Sequence, residues 1–140
     1  MAVFKDADHL YQCIAGMMDI CSKDDSMGSK IREAELIIRF VYHDPDSQIT
    51  VDARNPAEDG YFTVYRGEND LEPEVVMEMS ADIAHRFWLA KVNLVSALTR
   101  GEMKAKGPIP KIMKLLPAIK PAFAIYKDHL IRLGCQDLLV

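Results

Sequence analysis

Few residues in this sequence have both the type and the spacing that chemistry demands. His43-Asp44-Pro45-Asp46 groups metal-type ligands, but Pro and Asp at these positions are what a tight hairpin turn requires, and the calcium-loop spacing fails at its final Glu. His85 stands beside Arg86 in a helical pattern and reads as a polar-face or capping residue rather than a general base; His9 and His129 read the same way. Cys13, Cys21 and Cys135 are odd in number and lack C-x-x-C spacing, so they are expected as reduced thiols rather than a disulfide framework or a zinc site, with Cys13 and Cys21 on or near a buried stripe where a thiol is inert. Motifs for a nucleophile elbow, a zincin helix, a phosphate-binding loop and a dinucleotide fold are absent, which weakens an enzymatic reading. Tyr126 can direct its hydroxyl either to a ligand headgroup or to a backbone carbonyl in the core.

Such residues must be held by a fold, and 140 residues with 49% apolar and 27% charged positions suit one globular domain spanning 1–140 with a single core. No run approaches the length of a membrane span, and the opening MAVFKDADHLYQ lacks the basic-then-apolar order of a secretory leader, so an intracellular, cytoplasmic protein is expected. Residues 1–80 carry seven Lys and Arg against seventeen Asp and Glu, a net of −10, whereas residues 81–140 carry ten against four, a net of +6. That asymmetry leaves two readings: a basic interaction surface in the second half, or neutralisation of one half by the other. Nucleic acid is not favoured, because the aromatics of the basic half fall at core spacing.

Periodicity then places the elements. Leu10, Tyr11, Ile14, Met17, Met18 and Cys21 make one stripe of a helix over 5–22, which the polar run KDDSMGSK ends. From Glu35 to His43 the period becomes two, with Leu36, Ile38, Phe40 and Tyr42 on an uncharged face. A turn at 44–47 leads to a second strand over 48–54, the cluster NPAEDG to a third over 61–66, and the acidic loop GENDLEPE to a fourth over 75–79. Ser80 is a fitting N-cap for a helix with Ile83, Ala84, Phe87, Trp88 and Ala90; Asn93 caps another over 94–100, ended by Gly101. A fifth short strand is expected over 102–106, then one helix from Pro108 limited by Pro117 and a last one from Pro121 to Gly134. The order gives an α+β fold in which helices cover one face of a mixed sheet.

From Val75 onward, the stretch VVMEMSADIAHRFWLAKVNLVSALTRGEMKAKGPIPKIMKLLPAIKPAFAIY resembles the sterol carrier protein type 2 family. The resemblance rests on the strand ending at Met79, the Ser-Ala-Asp helix start, Asn93, Gly101, Glu102-Met103-Lys104 and Gly107. It implies a five-stranded, mostly antiparallel mixed sheet of order 3-2-1-4-5, with helices enclosing an apolar tunnel for fatty acids, acyl-CoA esters, phospholipids or sterols, and no chemistry, cofactor or metal. The expected wall draws Phe40, Met77, Met79 and Met103 from strands, Phe87 and Trp88 from the following helix, and Ile112, Met113, Leu116, Phe123 and Tyr126 from the last helices. Methionine suits walls that must fit varied chains. Phe87 and Trp88 are sequence neighbours, so one is expected on the cavity and the other elsewhere. The expected partners are an apolar small molecule and, through Lys111, Lys114, Lys120 and Lys127, an anionic membrane surface. Two other classes stay open: an accessory domain that docks onto a lipid-metabolising complex or onto itself, with no bound lipid, and a small acyl-ester hydrolase.

Overall fold

The computed structural model describes residues 3–56 and 60–139, so the middle of the NPAEDG cluster lies outside the described residues. The chain begins with α1 (Ala7–Leu10), a π-helical turn (Tyr11–Ala15) and α2 (Gly16–Cys21), which follow one another without leaving helical backbone. In the π-turn the Gly16 N–H reaches back five residues to the Tyr11 carbonyl. The one-residue shift leaves the Gln12 carbonyl without its ordinary helical donor, and His129 Nε2 supplies one at 2.7 Å.

A short helix α3 (Asp25–Glu33) follows where a polar break was expected. Its buried positions are Met27, Gly28 and Ile31, too few to stand out as a stripe. It forms because the Asp24 carboxylate accepts from Met27 N at 2.8 Å and because Lys30 and Arg32 sit in the last turn, where the helix dipole favours cations.

The sheet comprises β1 (Ile37–His43), β2 (Ser47–Asp52), β3 (Thr63–Arg66), β4 (Val75–Ser80) and β5 (Met103–Lys106), in spatial order β3-β2-β1-β4-β5. Only β1 and β4 pair in parallel; the other pairs are antiparallel. The register sets Phe40 opposite Ile49 and Met77, and Met79 opposite Met103, so the uncharged parity of β1 continues across the sheet as one apolar face. On the reverse face Arg39 donates to Thr50 Oγ1, Asn69 Oδ1 and the Leu71 carbonyl, which pins the acidic loop against the strands.

Helices cover the apolar face. Helix α4 (Ala81–Trp88) is capped by Ser80, whose hydroxyl accepts from Ile83 N at 3.1 Å, and α5 (Leu94–Arg100) by Asn93, ending at Gly101 with φ 76°. The two final helices expected from the prolines are one: α6 (Ile109–Arg132) runs 24 residues with Pro117 and Pro121 inside it. The helix survives because Ala118, Ala122, Tyr126 and Leu130, spaced every four residues, form a buried ridge whose packing outweighs the roughly 3 kcal/mol penalty of a helical proline.

Contact between α6 and the first helical run is close. A β-carbon built on Gly16 would stand 2.5 Å from His129 Nε2, the atom already bonded to the Gln12 carbonyl. Gly16→Ala should therefore destabilise the protein by about 1–3 kcal/mol through overpacking, opposite in sign to the gain of an ordinary helical Gly→Ala change. Urea unfolding of Gly16→Ala, His129→Ala and Gly16→Ala/His129→Ala checks this: the Gly16→Ala change should cost little once His129 is already Ala, although His129→Ala carries its own loss from the unmet Gln12 carbonyl.

Candidate lipid-binding site

Between the sheet and the helices lies an apolar cavity of about 90 Å³. Its floor is the sheet face, with Ile38, Phe40 and Tyr42 from β1, Met77 and Met79 from β4, and Met103 from β5. Phe87 and Trp88 of α4 and Leu94 of α5 form one side, and Ile112, Leu115, Leu116 and Ile119 of α6 form the roof. A second cavity, of about 70 Å³, lies towards α2 and α3 and is bordered by Met17, Met18, Met27, Ile31 and Phe62. Ile38, Phe40, Trp88, Leu115 and Ile119 border both, so the two are neighbours in one apolar tract beneath α6.

Eight of the eleven residues expected on a ligand wall border the larger cavity: Phe40, Met77, Met79, Phe87, Trp88, Met103, Ile112 and Leu116. Phe87 and Trp88 both reach it, contrary to the expectation that one would turn away. Their rings meet edge to face with centroids 5.0 Å apart, an arrangement that lets adjacent helical residues share a boundary. Phe123 stands behind them, 5.9 Å from the Phe87 ring and 6.4 Å from that of Trp88, and borders neither cavity. Met113 is half-buried on another side of α6.

Tyr126 lies apart from both cavities. It is fully buried and donates its O–H to His85 Nδ1 at 2.6 Å, while His85 Nε2–H donates to the Leu138 carbonyl at 2.7 Å. These partners fix the imidazole in its Nε2–H tautomer. His85, expected on a polar face, is thus an interior tie joining α4, α6 and the 3₁₀ turn at Gln136–Leu139. Burial holds its pKa below the ordinary histidine range, against the opposing pull of the Leu138 carbonyl and Asp82. With both ring nitrogens engaged, it has no free lone pair for proton abstraction.

The larger cavity's walls carry no carboxylate, amine, imidazole or thiol. Their one polar feature of note is Tyr42, whose hydroxyl is buried without a hydrogen-bond partner and is kept protonated because burial raises its pKa. Sequence reasoning left Ile38, Tyr42, Leu94, Leu115 and Ile119 off the wall; the parity of β1 carried the signal for Ile38 and Tyr42, whereas the unbroken course of α6 past Pro117 carried that for Ile119.

No protein-family model matches the sequence, and no curated protein matches it. Solved structures do. The chain is similar to sterol carrier protein 2 from Yarrowia lipolytica (TM-score 0.57, 20% identity, 88% of this chain and 91% of that one) and to sterol carrier protein domain 2 of Helicoverpa armigera (TM-score 0.60, 18% identity, 81% and 89%). It is also similar to part of the stereoselective inverting sec-alkylsulfatase Pisa1 from Pseudomonas sp. (TM-score 0.54, 15% identity, 69% of this chain), of which it spans 14%. The protein has the sterol carrier protein 2 fold, which occurs both as a nearly whole chain and as one portion of an enzyme. Among the described residues, no helix is long and apolar enough to cross a membrane.

The buried histidine makes stability depend on pH. Its folded pKa is lower than its unfolded one, so between the two the unfolded chain binds more protons and stability rises with pH. The contribution is complete above the unfolded value of about 6.5 and declines as pH falls towards the folded value. Thermal unfolding from about pH 7 to 5.5 should show this loss in the parent, and a flatter profile on a lower baseline in His85→Gln. Parallel profiles would mean that His85 does not govern the window.

Proposed function

We propose that the chain binds a lipid or other long apolar molecule between the sheet and α6, carrying it without chemical change. The observation that supports this best is the wall itself: thirteen residues from six elements converge on one cavity, and none offers an acid, a base or a nucleophile of ordinary reactivity. The likeness to sterol carrier proteins agrees with it.

The cavities of about 90 and 70 Å³ are smaller than the roughly 300–1,000 Å³ that ligand sites commonly provide. Binding a long chain therefore requires the roof to move. Helix α6 is built for that: every fully buried residue in it lies after Pro117, while Ile112, Leu115 and Leu116 before it are half-buried. Pro117 also lacks the N–H that would tie the first half through the Met113 carbonyl. Displacing this half exposes few residues that the rest of the core needs. In return each buried methylene contributes on the order of 0.8 kcal/mol, about 12 for a sixteen-carbon chain before ordering costs. The Tyr42 hydroxyl provides a donor for an oxygen on such a ligand.

Lys104, Lys106, Lys111, Lys114, Lys120 and Lys127 are exposed, and among the described residues none of them forms an ion pair. Lys111, Lys114, Lys120 and Lys127 flank the movable half of α6 and its continuation, so an anionic membrane would meet the roof of the site first, whereas Lys104 and Lys106 of β5 share the parity of the reverse face of the sheet. We place the protein in the cytoplasm on this reading. The occurrence of the fold inside the sulfatase supports a second reading, an accessory domain of a lipid-metabolising assembly with no lipid of its own; lipid co-purifying with the folded chain in native mass spectrometry favours the carrier.

Two measurements test the site and its delivery. Titration with a long-chain fatty acid should change the emission of Trp88, the sole tryptophan, and Leu116→Asp should weaken binding at least about tenfold through the cost of an unpaired carboxylate in an apolar wall. Met113→Asp, three residues away on the same helix but off the wall, should leave affinity within about twofold. Equal losses in both variants would dissociate binding from this cavity. In vesicle transfer, anionic acceptors should outpace neutral ones and lose that advantage as salt is raised, since exposed charges are screened within about 8 Å at physiological ionic strength.

A further inference from the structure

Three soft donors from opposite ends of the chain meet at the far end of the helical layer. His9 of α1, Cys13 of the π-turn and Cys135, which follows α6, place Nε2 and two Sγ atoms within 4.8 Å of one another. Cys135 Sγ is 4.0 Å from His9 Nε2. Among the described residues no other three histidine, cysteine or acidic side chains make such a group. We propose that these residues form a Cys₂His site for zinc(II), with solvent in the fourth position.

Donor type and geometry both favour this metal. Thiolate sulfur and imidazole nitrogen are the ligands zinc takes, at about 2.3 and 2.0–2.1 Å, which makes the edges of a tetrahedral site about 3.5–3.8 Å. The observed separations exceed these by about 1 Å at most, a contraction that side-chain rotation can supply. His9 and Cys13 are four residues apart at the start of one helical run and so share a face. Cys13 is buried and fixed, whereas Cys135 is half-buried and follows Gly134, whose φ of 76° ends α6. One rigid ligand and two adjustable ones allow closure round an ion without disturbing the core. Burial, reinforced by the neighbouring Cys135 sulfur, pushes the Cys13 thiol up to about 12, a setting that a divalent cation reverses by taking the place of the proton.

The structure also fixes a signature for loading. Lys5 N–H donates to His9 Nδ1 at 3.1 Å, so the neutral ring carries its proton on Nε2, facing Cys135. Coordination through Nε2 moves that proton to Nδ1 and turns the Lys5 N–H, on an exposed stretch, to water. A change of tautomer at His9 is not expected from zinc held loosely on surface carboxylates.

The test uses the whole chain, reduced and stripped of metal, titrated with zinc(II) against a chromophoric chelator and separately with cobalt(II). One equivalent should bind, with a thiolate-to-cobalt charge-transfer band, a raised melting temperature, and a proton shift from Nε2 to Nδ1 of His9 in ¹H–¹⁵N spectra. Cys135→Ser should lower zinc affinity at least about 100-fold and His9→Gln at least about tenfold; both positions lie outside the buried core, so both variants should fold whatever Cys13→Ser does. Absence of binding, binding without the charge-transfer band, or affinities in Cys135→Ser and His9→Gln equal to the parent's would each overturn the proposal.

Discussion

The hydrogen bond from His129 to the Gln12 carbonyl governs how near α6 can lie to the first helical run. The carbonyl is free because the π-turn shifts the helical hydrogen bonds by one residue, and the imidazole reaches it because Gly16 presents no side chain in its path. This contact holds the second half of α6 on one line, and the ridge Ala118, Ala122, Tyr126 and Leu130 then has one place to pack. Ile119, beside the first residue of that ridge, is thereby set in the roof of the cavity.

Polar groups inside the helical layer are consistent with the same arrangement. Tyr126, His85 and the Leu138 carbonyl satisfy one another in sequence, so the buried imidazole carries no unmet bond and the end of the chain is tied to α4. The layer is thus sewn at its far end by hydrogen bonds, while around the larger cavity it is held by apolar contact alone. Apolar contact is non-directional, so side chains there can exchange one neighbour for another without breaking a hydrogen bond, and the Tyr42 hydroxyl on that wall has none to lose.

Much of the fold was legible because each strand and cap is written locally. The parity of Leu36, Ile38, Phe40 and Tyr42 fixed the buried side of β1, and Ser80, Asn93 and Gly101 marked helix ends that the structure keeps. Helix α3 was not legible, since its stability comes from a cap and from Met27 and Ile31 meeting distant partners rather than from a stripe. Pro117 and Pro121 misled for the opposite reason: their local penalty is real, but the ridge that outweighs it is visible only once α6 lies against the first helices. His85 and Tyr126, 41 residues apart, had no local signal of pairing, and the convergence of His9 and Cys13 with Cys135 was equally hidden, because spacing rules detect ligands that are neighbours in sequence. Of the wall, strand and α4 positions could be read from periodicity; Met113 and Phe123 could not be separated from Ile112 and Leu116 without knowing that one helix runs through all four.

Pro117 divides α6 into two parts with different obligations. After it, the ridge is buried against the first helices, and its end is tied through Leu138 and the segment bearing Cys135. Before it, the helix contributes Ile112, Leu115 and Leu116 to the roof while leaving Lys111 and Lys114 in solvent. Pro117 removes one of the backbone bonds that couple the two parts, and Pro121 removes another, to the Pro117 carbonyl. On the reading proposed above, the anchored part keeps the sheet and helices assembled while the other part yields to a ligand, with fewer backbone bonds to strain at the junction than a helix bonded along its whole length would present.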